Sequence, residues 1–349
     1  MRSYFFKKAK TRLYVDNSTD YKVSTISRLL AVKKRKKKSK DKIERFQREA
    51  MESNIKNFYN EYNSLLKQNK SIKKLHKYAC MIKINFKFIT PYISRDDNDF
   101  YFIDNPVSKE KVLDIPVIHA STWKGNLHWA SLKNYVTTNQ LDTFEFSGDK
   151  DDLFEERLRL IKLFGTEHSS VSRYLDALYY DAGYETDNVF GEYIEDEYEN
   201  SHPDKILERR GRLTFYSSYF KNITYEVINP HDRITRSSKN GPIEIEAIDK
   251  SKGELNILYF PFDLIGKDYS EVKEEINKDL EMTLNGVIAL LETYGMSAKR
   301  KAGYGQATIT GISLDTKIKD IDGIKLNSDF EYSIATDRGE DKDETKSNR

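Results

Sequence analysis

The strongest periodic pattern in the sequence lies between Glu271 and Tyr294. Its apolar residues recur every three or four positions, at Val272, Ile276, Leu280, Leu284, Ile288 and Leu291. This spacing predicts an amphipathic helix with one buried face, and Gly295 is expected to end it. A helix of this length needs a sheet or other helices against its apolar side, so it constrains what the flanking segments can form.

Period-two patterns before and after this helix predict the strands of such a sheet. Ile82, Ile84, Phe86 and Phe88 alternate with polar residues from Cys80 onward. Further segments with a regular pattern are a helix from Thr122 to about Tyr135 and strands over Gly211–Tyr216, Glu254–Phe262 and Gln306–Leu314. The order strand, helix, strands, helix, strand predicts an α+β fold with a ferredoxin-like (RRM-like) βαββαβ core. RNA-recognition modules commonly use that sheet.

Three further segments are predicted around this core. Extended arms on both sides of Ser237–Gly241 predict a projecting hairpin with Asn-Gly turn chemistry. Residues 137–205 are acidic and rich in aromatic residues, and we interpret them as a partly helical insertion. The predicted domains are a basic, partly helical N-terminal extension over 1–77, a ferredoxin-like domain over 78–315 that includes the insertion, and a C-terminal tail over 316–349 that is disordered from about residue 337.

The charge is distributed unevenly along the chain. Residues 1–80 contain 23 Lys and Arg against 7 Asp and Glu, a net charge of +16, so the remainder carries −14 of the total of +2. A basic arm on an acidic body indicates a polyanionic partner or an acidic neighbour in an assembly. The basic run Lys33–Lys40 is compatible with either a solvated linker or a nucleic-acid tether.

Cysteine usage and hydropathy indicate the compartment. Cys80 is the only cysteine, so an intramolecular disulfide is impossible and a reducing compartment is favoured. The spacing of Cys and His gives no zinc signature. The N-terminus has no apolar core typical of a signal peptide, and no apolar run approaches the ~20 residues needed to span a membrane. We therefore expect a cytoplasmic protein without a membrane partner.

The stretch Phe102–Gly125 carries the chemistry that first indicates a function. Ser121 or Thr122 is expected to cap a helix whose first backbone amides face outward, and such an end attracts phosphate. Asp104 lies upstream in a loop, where its simplest role is to cap its own Asp-Asn-Pro turn. Trp123 is followed by apolar residues at helical spacing and is expected in the core. A phosphate-binding helix end near a carboxylate predicts a protein that holds a phosphodiester and could cut it.

Four motifs occur together in a fixed order: IDNPV (103–107), VIHASTWKG (117–125), NPHDRITR (229–236) and KRKAGYG (299–305). This set resembles the RAMP superfamily of CRISPR-associated proteins, and more closely the repeating backbone subunits of type III effector complexes. The resemblance covers about Tyr78 to Ser313. The chain departs from the family pattern at His119-Ala120, where the family has Pro-Gly, and at Trp123, where it has an aliphatic residue.

The resemblance implies partners and a binding surface. The partners would be guide CRISPR RNA, target RNA and other type III effector subunits, homologous RAMP subunits among them. Cations, small residues and a helix end suit contacts with RNA phosphates. The predicted RNA-binding residues are Ser121, Thr122, Lys124, Gly125, Arg233, Arg236, Lys299, Arg300, Lys301, Gly303, Tyr304 and Gly305.

The resemblance also implies a catalytic role for Asp104. Family members that cut target RNA have an aspartate at this position, where it supports metal-dependent cleavage with Mg²⁺ or Mn²⁺. His231 could assist proton transfer on the hairpin, or it could lie in a solvated polar loop. Three alternatives stay open: a non-cleaving structural RAMP subunit, a metal-independent guide-processing endoribonuclease, and an accessory protein that binds nucleic acid through its basic arm.

Overall fold

The computed structural model describes residues 76–96, 105–110, 115–143, 149–184, 189–197, 208–220, 223–229, 242–318, 321, 324, 326 and 332–336. Nine strands and five α-helices lie within these ranges. The strands are β1 Cys80–Phe88, β2 Val117–Ile118, β3 Leu213–Phe215, β4 Ser218–Tyr219, β5 Thr224–Ile228, β6 Ile243–Ala247, β7 Lys252–Tyr259, β8 Ala307–Thr316 and β9 Tyr332–Thr336. The helices are α1 Ala120–Thr138, α2 Lys150–Phe164, α3 Ser169–Asp181, α4 Val189–Glu197 and α5 Tyr269–Ile288.

The central sheet has the strand order β3-β7-β1-β8-β9 within the described residues. The first four of these strands pair antiparallel, and β9 adds to the edge parallel to β8. With α1 after β1 and α5 after β7, this is the βαββαβ order with the first strand at the centre. The prediction of an α+β, ferredoxin-like core is confirmed.

The alternation in β1 decides which side of the sheet the helices cover. Cys80, Ile82, Ile84, Phe86 and Phe88 are all fully buried, whereas the residues between them are partly or fully exposed. The apolar side faces α1 and α5, since Phe86 contacts Trp123 of α1 and the buried stripe of α5 belongs to the same core cluster.

The two helices approach each other closely at Gly286 of α5. A side chain there would lie very close to Ser131 Oγ and 3.3 Å from Leu127 of α1, so the crossing favours glycine. Nearby, Trp123 is fully buried, lies 5.6 Å from the ring of Phe86 and donates from Nε1 to Ser218 Oγ at 3.0 Å. The prediction that Trp123 is a core residue is confirmed.

The predicted N-cap of α1 is wrong. The helix begins at Ala120 rather than Thr122, with His119 as its N-cap residue, and it continues to Thr138. The cause is the short strand β2, which pairs with β4 and keeps the chain extended up to His119. Because the hydroxyl of Ser217 accepts the amide of Ala120 at 3.2 Å, no cap from Ser121 or Thr122 is needed.

The long helix also ends differently from its prediction. Regular α-helix stops at Ile288, and residues Ala289–Tyr294 form a π-helical turn before Gly295. Gly295 has a φ of 68°, a left-handed value that favours glycine and ends the helix as expected. The widened turn places Tyr294 beside α1, where it contacts Trp129.

The hairpin and the segment between α1 and β3 follow the sequence pattern in outline. Strands β5 and β6 pair antiparallel over their full length, and the tip between them lies outside the described residues. Helices α2, α3 and α4 fall within 137–205, and aromatic rings around Phe154 form their core. Strand β9 lies in the predicted tail and was not expected, since five residues near a charged terminus give a weak pattern.

Candidate nucleic-acid interface

A polar cleft of about 360 Å³ opens at the N-terminal end of α1. It is bounded by the chain after β1, the start of α1 and the loop that follows the π-helical turn. The lining residues are Tyr92, Ile93, Ser94, Arg95, Ser108, Val117, His119, Thr122, Asn126, Ser297, Ala298 and Arg300. Two guanidinium groups, several hydroxyl groups, an imidazole and an amide therefore belong to the lining of one cavity.

Hydrogen bonds from backbone amides fix the two loops that form the cleft. The amide of Ile93 donates to Ser297 Oγ at 3.0 Å, and the amide of Ala298 donates to the carbonyl of Ile93 at 2.9 Å. Farther along, the amide of Gly305 donates to the carbonyl of Pro91 at 2.9 Å. Segments about 200 residues apart in sequence are thus held in register, so the cleft is preformed.

One face of α1 lies along the cleft. Thr122, Gly125, Asn126 and Trp129 are spaced three and four residues apart and share this face. Nothing lies within 4 Å of a side chain built at Gly125. In the described part of the chain, the amides of Ser121 and Thr122 have no acceptor, as is usual in the first turn of a helix. This end of α1 is open to a ligand with acceptor oxygens.

Arg300 is the charged group that the second loop contributes to the cleft. Its guanidinium carbon lies 4.0 Å from the centroid of the Trp129 ring. Within the ranges that the structure describes, no carboxylate lies within ion-pair distance of Arg300, nor of its exposed neighbours Lys299 and Lys301. Among the described residues, the loop therefore presents three positive charges without a counter-charge.

The two glycines of the Gly-Tyr-Gly sequence differ in role. Gly303 has a φ of 81° and open space around it, so it supplies the turn and leaves room in front of the loop. Gly305 is buried, with a φ of 80°, and a side chain there would collide with the carbonyl of Met296. The motifs predict that Gly305 contacts RNA, but packing inside the chain explains this glycine without any ligand.

Tyr304 joins the same loop to the hairpin. It packs against the small apolar cluster of Ile93, Ile245 and Ala247. Burial raises the pKa of Tyr304, and Glu226 of β5, its hydrogen-bond partner, raises it further. Tyr304 thus anchors the base of the hairpin beside the cleft, which leaves only part of its ring accessible to RNA.

A buried carboxylate joins the hairpin to the loop that contains the predicted catalytic residue. Glu246 of β6 accepts from the amide of Val107 at 3.2 Å and pairs with Lys109 at 3.0 Å, and both charged side chains are buried. The amide of Glu246 donates to the carbonyl of Asn105 at 3.0 Å. Asn105 directly follows Asp104, so the end of this loop is fixed to the second strand of the hairpin.

Four predicted site residues lie outside the described residues: Asp104, His231, Arg233 and Arg236. Of the others, the structure brings Thr122 and Arg300 into one cleft. Lys124 is exposed but points away from this face of α1 and lies beside His128, whose pKa burial and Lys124 both lower. His128 stacks on Phe164 of α2 at 4.8 Å, which gives it a packing role.

Sequence reasoning missed Trp129 and Asn126, which lie on the cleft face of α1. Their spacing could have placed them on this face, since both follow Thr122 and Gly125 at helical intervals. Trp129 was overlooked because its contact with Arg300 joins positions 171 residues apart, which no local pattern reveals.

The described ranges contain neither a metal-binding cluster nor a membrane-spanning helix. No group of three or more His, Cys, Asp or Glu side chains there could hold a metal ion. Among the same residues, no helix is both long and apolar enough to cross a membrane.

The comparison with known proteins gives the same family that the motifs resemble. The family model of the RAMP superfamily matches residues 85–308. The chain belongs to the RAMP superfamily of CRISPR-associated proteins. The matched range runs from β1 into β8 and so includes the cleft, both helices of the core and the hairpin.

A search of solved structures found similarity to a chain from a cryo-EM structure of the type III-B Cmr-beta complex bound to cognate target RNA. The identity is 17% and the TM-score is 0.40, over 74% of this chain and 66% of the other, just under two thirds of its length. A search of curated proteins found no match.

Proposed function

We propose that this RAMP protein binds RNA through the cleft, as a guide-binding backbone subunit of a type III CRISPR effector complex. One observation supports this most directly. Thr122 and Arg300, predicted from separate motifs to contact RNA, line the same cleft, and the loop around Arg300 carries three cations with no carboxylate partner among the described residues.

The chemistry of the cleft suits the RNA backbone rather than a base. Outward amides at the start of α1 and a guanidinium across the cleft are the groups that bind phosphate oxygens. The residues after position 80 carry a net charge of −14. The three cations around Arg300 are therefore a local cluster of positive charge on an acidic body. A guide strand held by its phosphates leaves its bases free to pair with a target.

The proposal is tested with the full-length chain and a labelled single-stranded RNA. A variant with Lys299→Ala, Arg300→Ala and Lys301→Ala should bind at least tenfold more weakly, since a hydrogen bond to a charged group contributes about 1.5 kcal/mol or more. The slope of log affinity against log salt concentration should fall by about 0.7 for each phosphate that the variant no longer neutralises. Equilibrium binding at several salt concentrations measures both.

A matched control removes three exposed lysines elsewhere, with Lys250→Ala, Lys252→Ala and Lys267→Ala. It changes the net charge equally and should alter binding much less. A second control substitutes Lys36, Lys37 and Lys38 of the basic arm. If the cleft variant binds like the wild type and only the arm variant loses affinity, the arm is the binding site and the proposal is wrong.

The same proposal extends to cleavage of the paired target RNA, with Asp104 as the residue that supports it. The supporting observation is the fixed position of Asn105, which β6 holds through the backbone of Glu246 at the base of the hairpin. A divalent ion bound by Asp104 would stabilise charge on phosphoryl oxygens. The described residues supply no further metal-binding cluster, and we assign them no step through a metal.

Cleavage is tested in the assembled complex with guide and target RNA. Asp104→Asn should abolish target cutting and leave guide binding unchanged. Asp142→Asn is the control, because Asp142 lies beyond the opposite end of α1 and pairs with exposed Lys133. Undiminished cutting by the Asp104 variant would favour a purely structural subunit, whereas cutting of repeat RNA by the chain alone in chelator would indicate a guide-processing enzyme.

A further inference from the structure

Trp129 is an unusual residue for the surface of α1. Its side chain is 39% exposed, whereas the other tryptophan, Trp123, is fully buried. Trp129 makes two aromatic or charged contacts that the structure describes. The guanidinium of Arg300 lies over its ring at 4.0 Å, and the ring of Tyr294 meets it at 5.1 Å with an interplanar angle of 75°. The π-helical turn and the loop after it thus both contact one exposed ring of α1.

The arrangement holds Arg300 without cancelling its charge. Nη1 of Arg300 is buried, and within the described residues it has no hydrogen-bond partner and no carboxylate pairs with the group. The aromatic face attracts the cation through its quadrupole, which carries no net charge. A carboxylate in the same place would fix the side chain equally well but would neutralise it. The full positive charge therefore remains available at the cleft.

Tyr294 completes the arrangement by restricting the ring itself. Its near-perpendicular contact is the edge-to-face geometry that aromatic pairs prefer. Tyr294 is the last residue of the π-helical turn, so this distortion of the long helix brings it against α1. The turn, Tyr294, Trp129 and Arg300 form a continuous chain of contacts that ends at the cleft.

We propose that Trp129, braced by Tyr294, is a positioning residue that holds the guanidinium of Arg300 in place for an RNA phosphate. This inference rests on the proposed function of the cleft. Its benefit is preorganisation: an arginine side chain held in its bound conformation loses less rotational freedom on binding. Lysine would not substitute at position 300, because a flat guanidinium stacks on an indole and an ammonium does not.

The test compares Trp129→Phe with Trp129→Leu in the full-length chain, using a labelled single-stranded RNA. Both replacements are apolar and smaller than tryptophan, but only phenylalanine keeps an aromatic face. Trp129→Leu should weaken binding about threefold to tenfold, and Trp129→Phe should restore most of that loss. A packing role alone would make the two variants equal.

Arg300→Ala and the double variant with Trp129→Leu separate the possible outcomes. Arg300→Ala should weaken binding and lower the salt slope by about 0.7, whereas Trp129→Leu should leave the slope nearly unchanged because the charge remains. The double variant should bind no more weakly than Arg300→Ala. Additive losses, or equal affinities of the Leu and Phe variants, would overturn the inference alone. If Arg300→Ala binds RNA like the wild type, the proposed role of the cleft cations fails and the inference fails with it.

Discussion

Two groups of basic side chains in this molecule have opposite surroundings. In the ion network between α2, α5 and β7, each cation meets carboxylates at short distances. Its members are Arg159, Lys162, Arg209, Arg212, Asp263, Glu275 and Asp279, with the hydroxyl of Tyr259. At the cleft, Arg300 stacks on an indole, and neither it nor Lys299 and Lys301 pairs with a carboxylate in the described part of the chain.

The centre of the ion network shows what pairing within the fold looks like. Asp279 is fully buried and accepts from Arg212 at 2.5 Å, from Arg159 at 2.8 Å and from the hydroxyl of Tyr259 at 2.8 Å. Burial lowers the pKa of Arg212, but Asp279 and Asp263 outweigh it and raise the pKa above the usual range. Those charges are satisfied inside the chain and need no partner.

The comparison therefore separates stability from function. Cations that the fold has already neutralised stabilise the packing of α2 on α5. Cations that pair with no carboxylate in the described residues do less for stability, since charges without a buried ion pair rarely contribute much. We infer that the first group determines whether the chain folds and that the second determines what it binds.

Removing the central carboxylate should give the largest effect. Asp279→Ala removes the buried carboxylate that Arg159, Arg212 and the hydroxyl of Tyr259 share, and we expect a loss of about 3–5 kcal/mol in the free energy of unfolding. Urea denaturation followed by circular dichroism measures it. Arg300→Ala should lower the same free energy by only about 1 kcal/mol, the contribution of its contact with the Trp129 ring, although it weakens RNA binding.

A control on the same helix strengthens this comparison. Glu271→Ala removes an exposed carboxylate from the first turn of α5 and should cost less than about 1 kcal/mol. If Asp279→Ala were no more destabilising than Glu271→Ala, the ion network would contribute nothing to stability. The division between the two groups of cations would then be wrong.

Much of the fold could be predicted because its signals are local. The alternation in β1 and the stripe along α5 each identify an element within a single window, and their order is enough to predict the ferredoxin-like core. The prediction that Trp123 is buried rested on the same periodicity and was confirmed. For α1, the helix was predicted correctly but its cap was not, since the partner of the first amide is Ser217, 97 residues away.

The rest could not be predicted because it depends on contacts between distant segments. Asp279 lies beside the apolar stripe of α5, and its burial depends on arginines from α2 and from the start of β3. The stack of Trp129 on Arg300 likewise has no local signature. For the cleft, the motifs predicted the contribution of Thr122 and Arg300, whereas the residue that holds Arg300 emerged only from the fold.

A smaller effect should appear as the pH is lowered. Burial raises the pKa of Glu275, but Lys162, Arg159 and Arg212 outweigh it and hold the pKa at about 2. Asp263 has a lowered pKa as well, since Arg212 and Arg209 outweigh the effect of its burial. In the unfolded chain these carboxyl groups titrate near 4.5 and 3.8.

The sign of the effect follows from these directions. Between pH 4.5 and about 2 the unfolded chain binds more protons than the folded one, so the free energy of unfolding should fall as the pH falls through that range. Urea denaturation at several pH values measures this slope. Glu275→Gln should be less stable than the wild type at neutral pH and should lose less stability in acid. The cations around Arg300 pair with no carboxylate in the described residues, so Arg300→Ala should leave the pH dependence of stability in acid unchanged. A weaker pH dependence in that variant would show that Arg300 belongs to the ion network.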